Sequence, residues 1–338
     1  MSFEPRRDQF ASAPPVVSVV VPFLNEADTL ASLHAAIARE LDKAEIKHEV
    51  IFVNDGSTDG SEAICRNLAA LHPNVVLLNF RTNFGKSAAL SAGFREATGG
   101  IIITMDADLQ DDPTELPRFI AAIGDGADVV CGWKRERIDP IGKTAPSKLF
   151  NAVVNRTFGL RLHDHNCGFK AYRAEALVSL NLYGELHRFV PALLHARGYR
   201  IVELPIRHYP RRFGKSKFGA SRLVKGALDL MTVALTTRYA TRPGHIFGAI
   251  GLLMLTAGGL CLAYLACLWM IGAGPIGNRP LLFLGMLLML FGGQLISTGL
   301  IAELVLSRSI AESDKYAIRD RVGRNSSTKR ATEVSYRR

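Results

Sequence analysis

The sequence predicts an α/β protein with a mostly parallel sheet, followed by a C-terminal transmembrane helical hairpin. Three observations carry that prediction. Short β-branched runs alternate with segments of helical periodicity from Val16 to about Leu204. A polar segment follows each of four successive runs. Two long stretches near the C-terminus contain no charged side chain. Alternating strands and helices imply βαβ units and hence parallel pairing.

Taken in order, residues 1–14 are polar and aperiodic and are expected to be disordered. They do not read as a secretory signal, because Pro14-Pro15 precede the apolar run and Pro22, Asn25 and Glu26 interrupt it. Residues 15–210 form the expected soluble domain. Val16–Val21, Glu49–Val53, Val75–Phe80, Ile101–Met105 and Val129–Cys131 read as strands. Between them Leu30, Leu33, Ile37 and Leu41 recur at helical spacing, as do Ile64, Leu68 and Leu71. Residues 211–243 combine a basic segment with an amphipathic pattern (Leu223, Val224, Ala227, Leu228, Met231, Leu235) that fits a helix in the membrane interface. Within 244–306, residues 246–271 and 281–302 are uncharged over 26 and 22 positions. A helix needs about 20 apolar residues to cross the hydrocarbon core, so both are candidate spans.

Charge sets the expected orientation. Residues 205–225 hold seven Lys/Arg and no acid, the tail 307–338 holds nine against four acids, and the linker 272–280 carries only Arg279. The positive-inside rule then places both termini and the soluble domain on the cytoplasmic side of the inner membrane. The five cysteines (65, 131, 167, 261, 267) are odd in number, scattered and without metal-ligand spacing, as expected in a reducing compartment.

In parallel sheets, ligands bind beyond the carboxyl ends of the strands. The polar segments stand there: PFLNE after the first strand, NDGSTD after the second, RTNFGK after the third and DADLQ after the fourth. NDGSTD also suits a turn leading to a helix capped by Thr58 or Asp59. In TMDADLQDDP (104–113), Asp106 and Asp108 are two apart, and on an extended segment both carboxylates face one way. Hard divalent ions such as Mg²⁺ take oxygen ligands, often one or two carboxylates plus substrate phosphates. Gln110 could add a carbonyl oxygen. Asp111 and Asp112, followed by Pro113, fit the entrance of a helix around 114–123. No GxxxxGK[ST] and no GxGxxG after the first strand is present, which argues against a Walker ATPase and a dinucleotide dehydrogenase.

The series PFLNE, NDGSTDG, RTNFGKSAALSAG and DADLQDDP, with HNCGFKAYR (165–173) and ELHRFVP (185–191), resembles the family 2 inverting glycosyltransferases. The likeness is to their polyprenyl-phosphate branch, which includes dolichol-phosphate mannose synthase and bacterial undecaprenyl-phosphate glucosyltransferases, and it covers about residues 16–306. It implies a nucleotide-diphosphosugar-binding glycosyltransferase A-type fold. Pro22, Glu26 and Asp55 would line the nucleotide base and ribose, with Lys86 as a further neighbour. Asp106, Asp108 and Gln110 would hold Mg²⁺ or Mn²⁺ against the donor diphosphate. Where some members carry Asp-Asp-Gly-Ser, this chain has Asn54-Asp55-Gly56-Ser57.

For the acceptor, the resemblance points to Lys134 or Arg135, assisted by Ser147. Lys134 stands where many members carry arginine, and an ammonium lacks the planar fork of a bidentate phosphate contact. Arg211, Arg212, Lys215 and Lys217 are read either as lipid-phosphate ligands or as a clamp on anionic headgroups, at about 1 kcal/mol each near the surface. Nucleic acid is disfavoured, since no aromatic stacking platform accompanies the basic patch. Asp164, His187 and Arg188 are candidates for further site residues and equally for helix-surface or loop positions.

The implied reaction is metal-dependent transfer of a hexose, with UDP-glucose first among donors, to undecaprenyl phosphate. GDP-mannose, UDP-N-acetylglucosamine, UDP-galacturonate and other membrane acceptors are the alternatives. A processive synthase is disfavoured, because no QxxRW motif is present. A non-catalytic nucleotide-binding scaffold would be favoured by loss of the aspartate pair, which is intact. A phosphate nucleophile with a second pKa of about 6 is largely ionised at neutral pH and needs no strong base. Attack from the opposite face would invert the anomeric carbon. The bacterial relatives also imply a homo-tetramer.

Overall fold

The first strand, β1 (Val17–Phe23), is buried at every position but Pro22. Burial on both faces is what a central strand of a parallel sheet requires. In this computed structural model, residues 16–135, 151–178, 180, 182, 184–209, 243–272 and 274–309 are described. β1 pairs in parallel with β2 (His48–Asn54) and β4 (Ile101–Thr104), and β2 with β3 (Val75–Asn79). Beyond β4 lies β6 (Lys170–Arg173), antiparallel to β4 and to β5 (Val129–Lys134). β7 (Ile201–Ile206) pairs in parallel with β5, giving the order β3-β2-β1-β4-β6-β5-β7.

Helices cover both faces. α1 (Ala27–Lys43), α2 (Ser61–Leu71) and α4 (Leu116–Gly124) supply Leu30, Leu33, Cys65 and Phe119 to one core, facing Val17, Val19 and Val21. On the opposite face, around Val20, pack α3 (Lys86–Glu96), α5 (151–158), α6 (Ala174–Leu177) and α7 (Val190–Ala196). The alternation of Val19 and Val20 between two cores is the period of two expected of a strand.

All five strands expected from the sequence form. β4 ends at Thr104 rather than Met105, which puts the aspartate pair in a turn. β6 and β7 were not legible as strands. α2 begins at Ser61 behind Gly60 rather than behind Thr58 or Asp59, although Asp59 Oδ1 still accepts the Ser61 N–H at 3.0 Å.

The chain divides into two compact units between Arg238 and Tyr239. The second contains α8 (Pro243–Met270) and α9 (Pro280–Ser309), both long and apolar enough to cross a membrane. They form a hairpin whose contact line is glycine at heptad spacing: Gly244, Gly251 and Gly258 meet Gly299, Gly292 and Gly285. A Cβ on Gly251 would lie 2.6 Å from the Gly292 carbonyl oxygen, so only glycine permits that approach. The expected interfacial helix, the basic residues Arg211, Arg212, Lys215 and Lys217, Ser147 and the tail beyond 309 lie outside the described residues.

Candidate active site

Parallel pairing places the ends of β1 and β2 side by side, with Phe23 in register with Asn54. Pro22, Glu26 and Asp55 are thereby gathered at one edge. Asn25 and Ser57 lock the two following loops together, the Asn25 N–H donating to Ser57 Oγ at 2.9 Å and the Thr58 N–H to Asn25 Oδ1 at 2.8 Å. Asp55 is buried, and Oδ1 accepts the N–H groups of Phe84 at 2.7 Å and Gly85 at 3.1 Å. It therefore ties the loop after β2 to the start of α3 and to Lys86. Asn54 shows why an amide suits its position: Nδ2 donates to Asn79 Oδ1 at 3.1 Å while Oδ1 accepts the Ser57 N–H at 2.9 Å.

Asp106 follows β4 directly, and Lys86 Nζ forms an ion pair with its Oδ1. Burial alone would raise the pKa of this carboxyl. The ammonium groups of Lys86, Lys134 and Lys170 outweigh burial and hold it well below the ordinary carboxylate range. Because residues 107 and 108 form a turn, strand alternation does not align Asp106 with Asp108. Leu109 sets the loop instead. Its φ of +56° is rare for a bulky residue, and its side chain packs on the core. Gln110 Nε2 donates to the Tyr209 carbonyl at 3.2 Å, and Asp108 Oδ1 accepts the Gln110 N–H at 3.3 Å.

Asp112 behaves as expected, accepting the Thr114 N–H at 3.0 Å at the start of the turn leading into α4. Asp111 does not. Its fully buried carboxylate pairs with Lys134 Nζ at 3.0 Å, and Oδ1 lies 3.3 Å from His208 Nδ1. A helix-start residue keeps its carboxylate at the helix N-terminus, whereas Asp111 is drawn inward by a buried cation that would otherwise be unpaired. Burial acts to lower the Lys134 pKa, but Asp111 and Asp106 more than reverse it and keep the ammonium charged. Arg135 is exposed, with its guanidinium 5.9 Å from the Trp133 ring centre.

A small cavity lies beside Asp106, and His187, Arg188, His165 and Lys170 line it together with Lys86 and Gly168. His187 and Arg188 are thus brought beside Lys86 and Gly168. Asp164 is buried and accepts the Asn166 N–H at 3.1 Å, shaping the loop that carries His165 and Gly168. Lys170, to which sequence reasoning gave no role, is buried on β6 and donates to the carbonyls of Cys167 and His165, the latter at 3.2 Å. Gly168 was also missed. A Cβ there would meet the Asp106 carboxylate at 2.5 Å, so only glycine lets this loop close on it. Both lie in HNCGFKAYR, and the motif was the one available signal.

Among the described residues no group of three or more His, Cys, Asp or Glu forms a ready-made metal cage. Two acids, Asp106 and Asp108, half-exposed and close in the chain, fit instead a hard cation that takes its remaining ligands from a bound diphosphate. For Asp106 to serve, Lys86 must turn from its carboxylate towards the same phosphates.

An acid-bearing turn at the end of a central strand, ringed by lysines on a mixed α/β sheet, lies where such sheets bind their ligands and suits one carrying phosphate. The glycosyl transferase family 2 model matches residues 18–180. Dodecaprenyl-phosphate galacturonate synthase of Rhizobium johnstonii is 36% identical over 294 residues, covering 86% of this chain and 87% of that protein. Undecaprenyl-phosphate 4-deoxy-4-formamido-L-arabinose transferase of Klebsiella pneumoniae is 35% identical over 299 residues, 86% of this chain and 89% of that one. Among solved structures, glucosyl-3-phosphoglycerate synthase from Mycobacterium tuberculosis with Mg²⁺ and uridine diphosphate superposes with a TM-score of 0.50. It is 21% identical, and the match covers 64% of this chain and 79% of that one. The chain belongs to glycosyl transferase family 2, and it is a glycosyltransferase.

Proposed function

We propose that the chain transfers a glycosyl unit from a UDP-sugar to a polyprenyl phosphate, at the cytoplasmic face of the inner membrane, with Mg²⁺ or Mn²⁺ held by Asp106 and Asp108 and assisted by Gln110. The carrying observation is Asp106, an ionised carboxylate at the end of a central strand with Lys86, Lys134 and Lys170 around it. The acceptor follows from the relatives, whose names specify dodecaprenyl and undecaprenyl phosphate, and from two helices able to anchor the chain in a bilayer. A bound cation would supply charge neutralisation on the departing diphosphate.

The protein's own groups do the rest. Lys86 moves from Asp106 to a phosphate oxygen. Lys134, fixed by Asp111, presents a charged ammonium towards the acceptor phosphate, and Ser147, Arg135, Arg211, Arg212, Lys215 and Lys217 are the further acceptor candidates. Holding two anions that repel one another is the main task, and preorganised cations perform it. The nucleophile is already ionised, so no base is required, and attack opposite the leaving group inverts the anomeric carbon.

Glucose was the first expectation for the donor. The relatives are named for galacturonate and a formamido-arabinose, and neither for glucose, so UDP-galacturonate stands ahead of UDP-glucose. The test supplies purified protein, Mg²⁺ and undecaprenyl phosphate with a panel of sugar nucleotides, and reads glycolipid by mass spectrometry. No product with any donor would sink the reading. Asp108→Asn is expected to lower turnover by about a hundredfold or more while the unfolding temperature holds, and chelation should mimic it.

A further inference from the structure

Ser87, the second residue of α3, is buried and makes two contacts with one partner. Its Oγ accepts the main-chain N–H of His187 at 3.2 Å and lies 3.0 Å from His187 Nδ1. A hydroxyl carries one hydrogen, and a buried hydroxyl hydrogen needs an acceptor. Among the described residues Nδ1 is the acceptor within reach. Were Nδ1 protonated, the hydroxyl would accept twice and leave its own hydrogen unbonded inside the protein. Nδ1 is therefore the acceptor, and the imidazole carries its hydrogen on Nε2. The ring's surroundings agree: burial first, then Lys86, Arg188 and Lys170, hold the His187 pKa well below its ordinary value, against a smaller opposite pull from Asp106.

We infer that Ser87 is a positioning residue that fixes His187 as a neutral Nε2–H donor, facing the small cavity beside Asp106 and available to an oxygen of the donor's glycosyl unit at its mouth. The inference rests on the proposed function for the identity of the ligand, but the tautomer stands independently. His187 lines that cavity, and no described residue bonds Nε2. A neutral imidazole N–H suits a sugar hydroxyl or carboxylate oxygen and leaves the charge balance around Asp106 unchanged. The adjoining cations, Lys86, Lys170 and Arg188, are each engaged with a carboxylate or with main-chain carbonyls. His187 thus supplies a directional contact that they do not.

The test is ring-nitrogen NMR on full-length, histidine-labelled protein in nanodiscs. Before ligand is added, the expected spectrum shows Nδ1 unprotonated and Nε2 protonated, and Ser87→Ala mixes the two tautomers. An Nδ1–H tautomer in the wild type would overturn the inference. On adding UDP-galacturonate, UDP-glucose and UDP in turn, the Nε2 resonance should move with a UDP-sugar and not with UDP alone; equal movement with UDP, or none, would overturn the sugar contact. In turnover, Ser87→Ala should raise the donor KM by about tenfold and leave the polyprenyl-phosphate KM unchanged. His187→Gln, whose amide nitrogen reaches the Nε2 position, should restore donor KM to within about threefold, whereas His187→Asn should not. Equal losses for both substrates, or Asn matching Gln, would mean a structural role only. If no sugar is transferred but the Nε2 resonance responds as described, the proposed reaction fails and this inference survives.

Discussion

At the scale of single residues, the site depends on small groups that let charged ones approach. Gly168 closes on Asp106 so tightly that an added methyl would stand 2.5 Å from the carboxylate. Gly168→Ala is therefore expected to cut turnover by about tenfold to a hundredfold, since misplacing a reactive group by an ångström has that effect. The drop should be partly recovered at high Mn²⁺, and circular dichroism should show the fold intact; an unchanged rate would mean that Asp106 does not hold the metal. His165, three residues earlier, is predicted to tie stability to pH. Burial, aided by Lys170, lowers its pKa from 6.5 to about 4, and Nδ1 has no hydrogen-bond partner among the described residues. Between those values the unfolded chain takes up a proton that the folded chain refuses. Stability from this residue is complete above the unfolded pKa and is lost as pH falls through the window, by up to about 3 kcal/mol. Thermal unfolding of wild type and His165→Gln across that range checks the sign, because the variant should show a shallower acid slope.

At the scale of elements, legibility followed locality. β1 to β5 were readable because each is an apolar run between helical patterns, and parallel order then brought Pro22, Glu26, Asp55 and Asp106 to one edge. β6 is four residues, Lys-Ala-Tyr-Arg, and its place between β4 and β5 is a long-range antiparallel pairing that no local period records. Lys170 and Gly168 were missed with it. Asp111 was misread for a similar reason, since its partners Lys134 and His208 lie far away in sequence. In the hairpin, the apolar stretches announced α8 and α9, while the meeting of their glycines emerged only from the packed pair. Gly251→Ala places a methyl 2.6 Å from a carbonyl oxygen and should cost about 1–3 kcal/mol of hairpin stability. Gly259→Ala is the control, because nothing lies within 4 Å of a Cβ there. Steric-trapping or thermal measurements in bilayers should separate the two; equal behaviour would mean that the glycine seam is not the contact line.

At the scale of the molecule, a formal net charge of +10 accompanies one concentrated run of acids, and the proposed function assigns the two signs to different anions. Asp106 and Asp108 are suited to meet a diphosphate through a cation. The positive excess has two candidate jobs, holding the protein to anionic lipid and binding the acceptor phosphate, and they make different predictions for Arg211, Arg212, Lys215 and Lys217. Headgroup attraction is worth about 1 kcal/mol per basic residue near an anionic surface, falls off within a Debye length and vanishes when the lipid is neutral. A contact with the acceptor's own phosphate survives in neutral lipid, because the acceptor carries the charge with it. Replacing all four residues by glutamine should therefore raise the polyprenyl-phosphate KM by about tenfold or more even in neutral nanodiscs, with the donor KM unchanged. An effect confined to anionic bilayers, abolished by salt, would assign the segment to membrane attachment alone and leave Lys134, pinned by Asp111, as the principal cation for the acceptor.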